Sequence, residues 1–304
     1  MSHFVGPVVV FGAAGQVGRE LLKKPSIGLP VVGFTHGDVD ISDAAAVRVV
    51  ISRIGPSVIV NAAAYTAVDK AESDAERAFA VNEQGARNLA QAAQSHGSAL
   101  IHISTDYVFD GRKREPYLED DPVNPLSVYG RSKQAGERLV AAECERHIIL
   151  RTAWVCGMYG SNFVKTMLRL ADERDVVRVV ADQRGTPTSA GDLAAAIFAI
   201  ITMLSEGHDV FGTFHLTNSG ATTWHGVAAH IFAWLAANGG VAPRLDAITT
   251  AEYPTPAARP SYSILDCGRI LQAYGVALRP WERALDDILS SLHNDPAEQQ
   301  WSGT

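Results

Sequence analysis

The feature that most restricts the fold is an alternation in the first half of the chain. Short runs that are almost wholly apolar, Val8–Phe11, Val31–Phe34, Val58–Val60, Leu100–Ile103 and Ile148–Leu150, are separated by longer stretches with helical spacing of apolar residues, Val17–Leu22, Ala44–Ile54, Ala75–His96 and Ser132–Cys144. A strand with one face in water alternates polar and apolar side chains, so a strand apolar on both faces has to be covered on both. Helices between such strands supply that cover and return the chain to start the next strand in the same direction. The alternation therefore predicts an α/β architecture with a doubly wound parallel sheet.

Past Arg151 the regularity weakens. Helices over Asn162–Glu173, Asp192–Leu204 and Trp224–Asn238 and strands over Val176–Val180 and Thr213–Leu216 follow at uneven spacing. Tyr253–Pro260 holds Pro254, Pro256 and Pro260, which rules out a helix or a central strand and predicts an extended, ordered loop. This division predicts one domain over residues 1–154 and a smaller α/β lobe made mainly from 155–304, with some elements of 181–217 returning to the sheet. From about Asn294 the chain reads as a frayed polar tail.

Composition narrows the partners. Of 304 residues, 47% are hydrophobic and 19% charged, as in a soluble globular protein, and the net charge is −7 from 26 basic and 33 acidic residues. A nucleic acid polymer is therefore not an expected partner, because its phosphates require a basic surplus. The opening Met1–Pro7 shows no basic segment leading into a long apolar run. No apolar stretch approaches the roughly 20 residues of a membrane span, so no membrane partner and a cytoplasmic location are expected. Cys144, Cys156 and Cys267 are odd in number and widely spaced, which argues against a disulfide framework or a zinc site and for ordinary thiols.

The first apolar run leads straight into Gly12-Ala-Ala-Gly15-Gln16-Val17-Gly18 and a helix. Glycines there allow a tight turn and a close backbone approach, and the helix N-terminus offers N–H groups to an anion, so Gly12, Gly15 and Gly18 mark a dinucleotide site of Rossmann type. The second run ends Phe34-Thr35-His36-Gly37, with no carboxylate to hold both ribose hydroxyls of NAD and no arginine beside it. NADPH is thus admissible and NADH possible. Asp40 either caps the helix that opens near Ser42 or touches adenine.

The fourth run ends Ser104-Thr105-Asp106-Tyr107, which places Thr105 at the carboxyl edge of the sheet, where open α/β folds bind ligands. Behind Asn124-Pro125 a helix carries Tyr129 and Lys133 one turn apart on one face. A phenol titrates near 10 in water, and a neighbouring cation favours its ionised form and brings it toward working range. With a hydroxyl from Thr105 on the same carbonyl oxygen, these side chains suit reversible hydride transfer at a carbonyl. Asn61 and Asn82 are expected to be structural amides bonding loops.

Together the glycine turn, Thr105, Tyr129 and Lys133 resemble the extended short-chain dehydrogenase/reductases. Val60–Glu72, Ser104–Gly111, Asn124–Glu137, Arg151–Val155, Asn162–Leu168, Asp182–Thr188, Thr222–His225 and Tyr253–Pro260 narrow the resemblance to the dTDP-4-dehydrorhamnose reductase family. That resemblance implies NAD(P)H-dependent reduction of the 4-keto group of dTDP-4-dehydro-L-rhamnose, the last step of dTDP-L-rhamnose synthesis for cell-surface polysaccharide. It implies that Gly15, Gln16 and Val17 meet the pyrophosphate, Asp40 and Ile41 the adenine, and Ala63, Ala64 and Tyr65 the neighbouring ribose and phosphate. Tyr129 would be the acid; Lys133 would hold the nicotinamide ribose and lower the phenol. Thr105, Asp106 and Trp154 would line the sugar.

Trp154 either stacks on the substrate or seals the seam between lobes, and Arg259 either reaches the diphosphate or makes a rim salt bridge. Cys156 stands where a tyrosine is usual in the family, which suggests an altered pocket wall. Some members pair into dimers through acids sharing Mg²⁺; Glu20 lies at one such position and Asp192 near another, no metal is assigned, and monomer and homodimer both remain open. A dehydratase is disfavoured because Tyr107, not glutamate, follows Thr105-Asp106. A sugar-nucleotide epimerase or reductase of other specificity, and a non-catalytic regulatory subunit of the methionine adenosyltransferase type, are the alternatives.

Overall fold

The computed structural model describes residues 4–23 and 28–294; Met1–His3 and the expected polar tail past Asn294 lie outside the described residues. The first half runs β1 (Val8–Phe11), α1 (Gln16–Lys23), β2 (Val31–Phe34), α2 (Ala44–Ile54), β3 (Val58–Asn61), α3 (Val68–Ala71), α4 (Ala75–Phe79), α5 (Ala86–His96), β4 (Ala99–Thr105), α6 (Val128–Glu143) and β5 (His147–Thr152). Then come β6 (Val155–Cys156), α7 (Phe163–Glu173), β7 (Val176–Val180), β8 (Arg184–Gly185), β9 (Thr188–Ser189), α8 (Ala190–Ser205), β10 (Gly212–His215), β11 (Thr222–Thr223), α9 (Trp224–Ala237), β12 (Arg244–Ile248), α10 (Gly268–Tyr274) and α11 (Trp281–Asn294).

β10, β5, β4, β3, β1 and β2 form, in that spatial order, one six-stranded sheet whose pairings are all parallel. Alternate residues of each strand feed different cores. Val8, Val10, Val58, Val60, Ile101 and Ile148 pack on one face with Leu21 of α1 and Leu193, Ile197 and Ile201 of α8. Val9, Phe11, Ile59, Leu100 and Ile149 pack on the other with Val47 and Ile51 of α2, Leu89 of α5 and Val140 of α6. Each such side chain, taken fully from water, contributes about 1.5–3 kcal/mol, and covering both faces is what the unbroken apolar runs require.

β10 and α8 come from the second half of the sequence but belong to this layer. What remains gathers around a separate core of Val164, Met167, Val177, Val179, Val227, Ile231, Phe232, Leu285 and Leu289, contributed by α7, the parallel pair β7–β12, α9 and α11. None of the described helices is long and apolar enough to cross a membrane.

Local differences from the sequence reading have identifiable causes. α2 spans Ala44–Ile54, as its apolar spacing predicts, but its cap is Asp43 and not Asp40: Asp43 accepts from the amides of Ala45 and Ala46. The stretch Ala75–His96 is not one helix: a π-helical turn over Ala80–Gly85 separates α4 from α5. It buries Asn82, whose amide group bonds Tyr65 and Ser132, an arrangement an uninterrupted α-helix would rotate out of reach. α6 begins at Val128, earlier than its apolar spacing suggested, because Ser127 caps it by accepting from Gly130 N–H at 3.1 Å.

Candidate active site

The strand order reverses at β1, with β2 on one side and β3 on the other, so the connections leaving β1 and β3 part and open a crevice at their carboxyl ends. Gly12 takes φ +86° there, and a Cβ on it would sit 2.5 Å from the backbone of Ala62 and Ala63. A Cβ on Gly18 would lie 2.2 Å from the Gly12 carbonyl oxygen, so this glycine lets α1 pack directly on the turn. Gly15 is less enclosed: its Cβ would meet only the Gly12 carbonyl, at 3.2 Å. α1 starts at Gln16, and the N–H groups of its first turn have no intrahelical acceptor. Val17 is buried in the sheet core, while the Gln16 side chain donates to the Val155 carbonyl at 3.3 Å and accepts from Asn162 at 3.0 Å, tying the turn to the second lobe.

Across the crevice, the segment after β3 is held by the two asparagines. Asn61 accepts from Ala63 N–H at 3.1 Å, and Asn82 accepts from Tyr65 N–H at 2.8 Å while donating to the Tyr65 carbonyl at 3.1 Å. This fixes Ala63, Ala64 and Tyr65 opposite Gly12. Asp40 is not a helix cap: its carboxylate accepts from Ser42 N–H at 2.9 Å and Ser42 O–H at 2.7 Å and pairs with Arg77 at 3.1 Å. Partial burial opposes ionisation, but those bonds outweigh it and hold the carboxyl at about 2. Ile41 is buried against Gly85 of the π-turn.

Thr105 ends β4 in register with Thr152 of β5 and caps the short turn Asp106–Val108, its oxygen accepting from Tyr107 N–H at 3.2 Å. α6 is laid over this turn because Gly130 allows it: a Cβ there would be 2.3 Å from the Tyr107 carbonyl oxygen and 2.9 Å from Pro125. Glu72 completes the helix start by accepting from Val128 N–H at 2.7 Å. Tyr129 is thereby set edge-on to Tyr107, ring centroids 5.6 Å apart at 75°, with its hydroxyl at Thr105. Burial raises the phenol to about 12, with the Thr105 bond lowering it and the Asp106 charge raising it.

Lys133 does not supply the expected lowering. Its Nζ donates to the Ile103 carbonyl at 2.7 Å and lies 3.4 Å from His102 Nε2, and it is not among the groups that shift the phenol. Burial pulls this ammonium down to about 8 against the opposing charge of Glu137. Glu137 is itself locked by a bidentate bond from Arg151, 2.7 Å at the shortest, and by the Ser104 hydroxyl at 2.5 Å.

Asp106 is 1% exposed, and burial pushes it up to about 6 despite bonds from Ser263 and Thr105. Its Oδ2 is buried with no hydrogen-bond partner among the described residues. Trp154 is the one described non-glycine residue at positive φ, +47°; its indole stacks on Trp224 at 3.7 Å and leans on Gly185, where a Cβ would be 2.6 Å away. Its ring therefore packs against the second lobe's core. Arg259 makes a salt bridge to Asp69 at 2.8 Å, which ties the proline-rich loop to the first domain. A cleft of about 710 Å³ runs from Arg259 and Thr255 past Tyr253, Gln183 and Trp224 to Phe163.

Cys156 lies in the second lobe's core, 5% exposed, with burial raising its thiol to about 12, and is not among the residues lining that cleft. Glu20 and Asp192 border a smaller cleft of about 180 Å³. There Arg279 bridges Asp192, at 2.9 and 3.0 Å, and Asp287, at 2.5 Å. The Arg279 guanidinium thus pairs with Asp192 and Asp287, and among the described residues of this chain no group of three or more His, Cys, Asp or Glu could hold a metal. Sequence reading missed Arg77, Glu72, His102 and Ser263. Each reaches the site from a distant stretch or from inside an apolar run, and only His102 carried a signal, an imidazole within an apolar run.

The family described as RmlD substrate binding domain matches residues 6–294. A dTDP-4-dehydrorhamnose reductase from Aggregatibacter actinomycetemcomitans is 45% identical over 286 residues, 92% of this chain and 97% of the relative. Among solved structures, a dTDP-4-dehydrorhamnose reductase from Clostridium acetobutylicum matches with TM-score 0.88 at 39% identity over 94% of this chain and 99% of its own. One from Bacillus anthracis, solved in complex with NADP, matches with TM-score 0.88 at 37% identity and the same coverage. Agreement of identity, length and fold over both lobes places the chain: it belongs to the dTDP-4-dehydrorhamnose reductase family.

Proposed function

We propose that this chain reduces the 4-keto group of dTDP-4-dehydro-L-rhamnose to give dTDP-L-rhamnose, using NADPH and accepting NADH. The observation that carries the reading is the convergence of Thr105, Tyr129 and Lys133 at the carboxyl end of β4, beside a crevice whose glycines are required by backbone contact. The crevice suits a dinucleotide: Gly15 leaves the turn open, the first N–H groups of α1 are free of helical partners, and Asn61 and Asn82 fix the facing wall. When bound, the nicotinamide supplies hydride to the carbonyl carbon. The cleft of about 710 Å³ in the second lobe is of the size of a sugar nucleotide site.

The chain's own groups divide the remaining work. Thr105 and Tyr129 hydroxyls bind the 4-keto oxygen and hold it in one place. A phenol held near 12 is fully protonated at neutral pH, so Tyr129 has the proton that the carbonyl oxygen takes as its bond order falls. Lys133, near 8 and anchored on the Ile103 carbonyl, presents its remaining N–H groups to the ribose. Asp106 offers the unpartnered Oδ2 to a sugar hydroxyl, and Trp154 closes the seam above it. A cytoplasmic place for this work is part of the proposal. The test is consumption of NADPH by purified protein with the 4-keto sugar nucleotide; cofactor binding without turnover would instead favour the regulatory-subunit reading.

A further inference from the structure

Resting on the nicotinamide reading above, the tip of β2 identifies which form of the cofactor the chain selects. In an open α/β sheet the adenine ribose lies at the end of the second strand; a carboxylate there holds both hydroxyls of NAD, and a cation accommodates the 2′-phosphate of NADP. The two acids closest to this tip are both turned into their own loop. Asp38 accepts from Thr35 N–H at 2.8 Å and Thr35 O–H at 2.7 Å. Asp40 gives one oxygen to the amide and hydroxyl of Ser42 and the other to Arg77. Asp40 therefore has both oxygens engaged, while Asp38 is drawn back onto Thr35 through Oδ2 and keeps only Oδ1 open.

The same tip also carries cations. Arg77, on α4 and 41 residues beyond His36, reaches the same spot, with its Nη2 3.5 Å from His36 Nε2. The two side chains are 40% and 71% exposed, so both are accessible to a ligand in solution. Asp40 grips the guanidinium through Nη2, which pins the side chain and leaves Nε and Nη1 of the planar fork uncommitted among the described residues.

We propose that His36 and Arg77 form the receptor for the 2′-phosphate of NADPH and that Arg77 is the residue that sets preference for NADPH over NADH. Asp40 offsets part of the local positive charge. Discrimination therefore comes mainly from directed donors, a forked guanidinium and an imidazole converging on one phosphate, and not from net charge.

Calorimetric titration of the purified protein with NADPH and with NADH, and displacement of NADPH by 2′,5′-ADP against 5′-AMP, tests this without depending on turnover. The wild type is expected to bind NADPH more tightly than NADH by about tenfold or more, and 2′,5′-ADP to displace better than 5′-AMP. Arg77→Gln should bring the two cofactors to within about threefold of each other by weakening NADPH alone, with NADH affinity serving as the folding control. Arg77→Lys should retain part of the preference, and His36→Asn should lose a smaller part than Arg77→Gln. A NADPH/NADH ratio that Arg77→Gln leaves unchanged, or a loss shared equally by both cofactors, would overturn the assignment. Failure of the wild type to bind either nucleotide would instead bring down the nicotinamide reading on which it rests.

Discussion

Asp106→Asn offers a quantitative test of the substrate end of the site. The carboxyl is raised from its ordinary 3.8 to about 6, chiefly by burial. Roughly two pKa units at ~1.4 kcal/mol each amount to about 3 kcal/mol. The sign follows from proton counting. Below about pH 3.8 the acid is protonated in folded and unfolded chains alike and costs nothing. As pH rises from about 3.8 to about 6, the folded protein keeps a proton that the unfolded chain has lost, so the stability contributed by this residue declines, and above about 6 it levels off.

Asparagine cannot titrate, so the stability of the variant minus that of the wild type should climb by about 2 kcal/mol between about pH 4.5 and pH 8. Any fixed cost of the amide, such as a donor placed where Oδ2 had no partner, shifts the whole curve and cancels from the slope. Other carboxyls, including Asp40 at about 2, titrate in both proteins and cancel as well. Urea unfolding followed by circular dichroism at a series of pH values measures the difference directly. A difference that is flat with pH would refute the account of Asp106 as a desolvated acid. The same variant should lose sugar-nucleotide affinity, because a carboxylate oxygen that accepts a hydroxyl becomes an amide.

Tyr129→Phe should keep cofactor binding and lose roughly a hundredfold to ten-thousandfold in turnover, read by steady-state assay beside cofactor titration; Lys133→Ala should weaken both. Gly130→Ala puts a methyl 2.3 Å from the Tyr107 carbonyl, and the shift of α6 it forces should cost about 1–3 kcal/mol in denaturant unfolding and slow turnover by displacing the phenol. Arg151→Met strands Glu137 as a buried charge, since the paired side chains are each 7% exposed; the loss should be about 3–5 kcal/mol, and largely recovered in an Arg151→Met, Glu137→Leu double variant.

The sheet was legible because its information is local. β1 and β2 occur where their apolar runs lie, and β3, β4 and β5 extend those runs by a few residues, since cover on both faces writes itself into successive positions of a strand. The start of α6 was less legible because capping, not apolar spacing, decides it: the helix opens behind Ser127, four residues before its apolar spacing begins. The spacing of Tyr129 and Lys133 correctly implied a shared helical face. It could not show that the Ile103 carbonyl on the neighbouring strand claims the ammonium, which leaves burial to govern the phenol.

Long-range partners were beyond reach for the same reason. Arg259 could be named as a guanidinium near the site, but Asp69 lies 190 residues earlier, and nothing in either local stretch specifies the pair. Arg77 is the sharper case, since the strand tip it serves carries no arginine in sequence and acquires one only through the packing of α4.

The central claim is reduction at C4 of the sugar by way of the Thr105–Tyr129–Lys133 face. Its most direct measurement is turnover of dTDP-4-dehydro-L-rhamnose with NADPH carrying deuterium at the transferable C4 position of the nicotinamide, followed by NMR of the sugar nucleotide. The account predicts dTDP-L-rhamnose with deuterium at C4 of the sugar and oxidised cofactor in equal amount. Recovery of unchanged keto sugar, or a product epimerised without deuterium at C4, would contradict it.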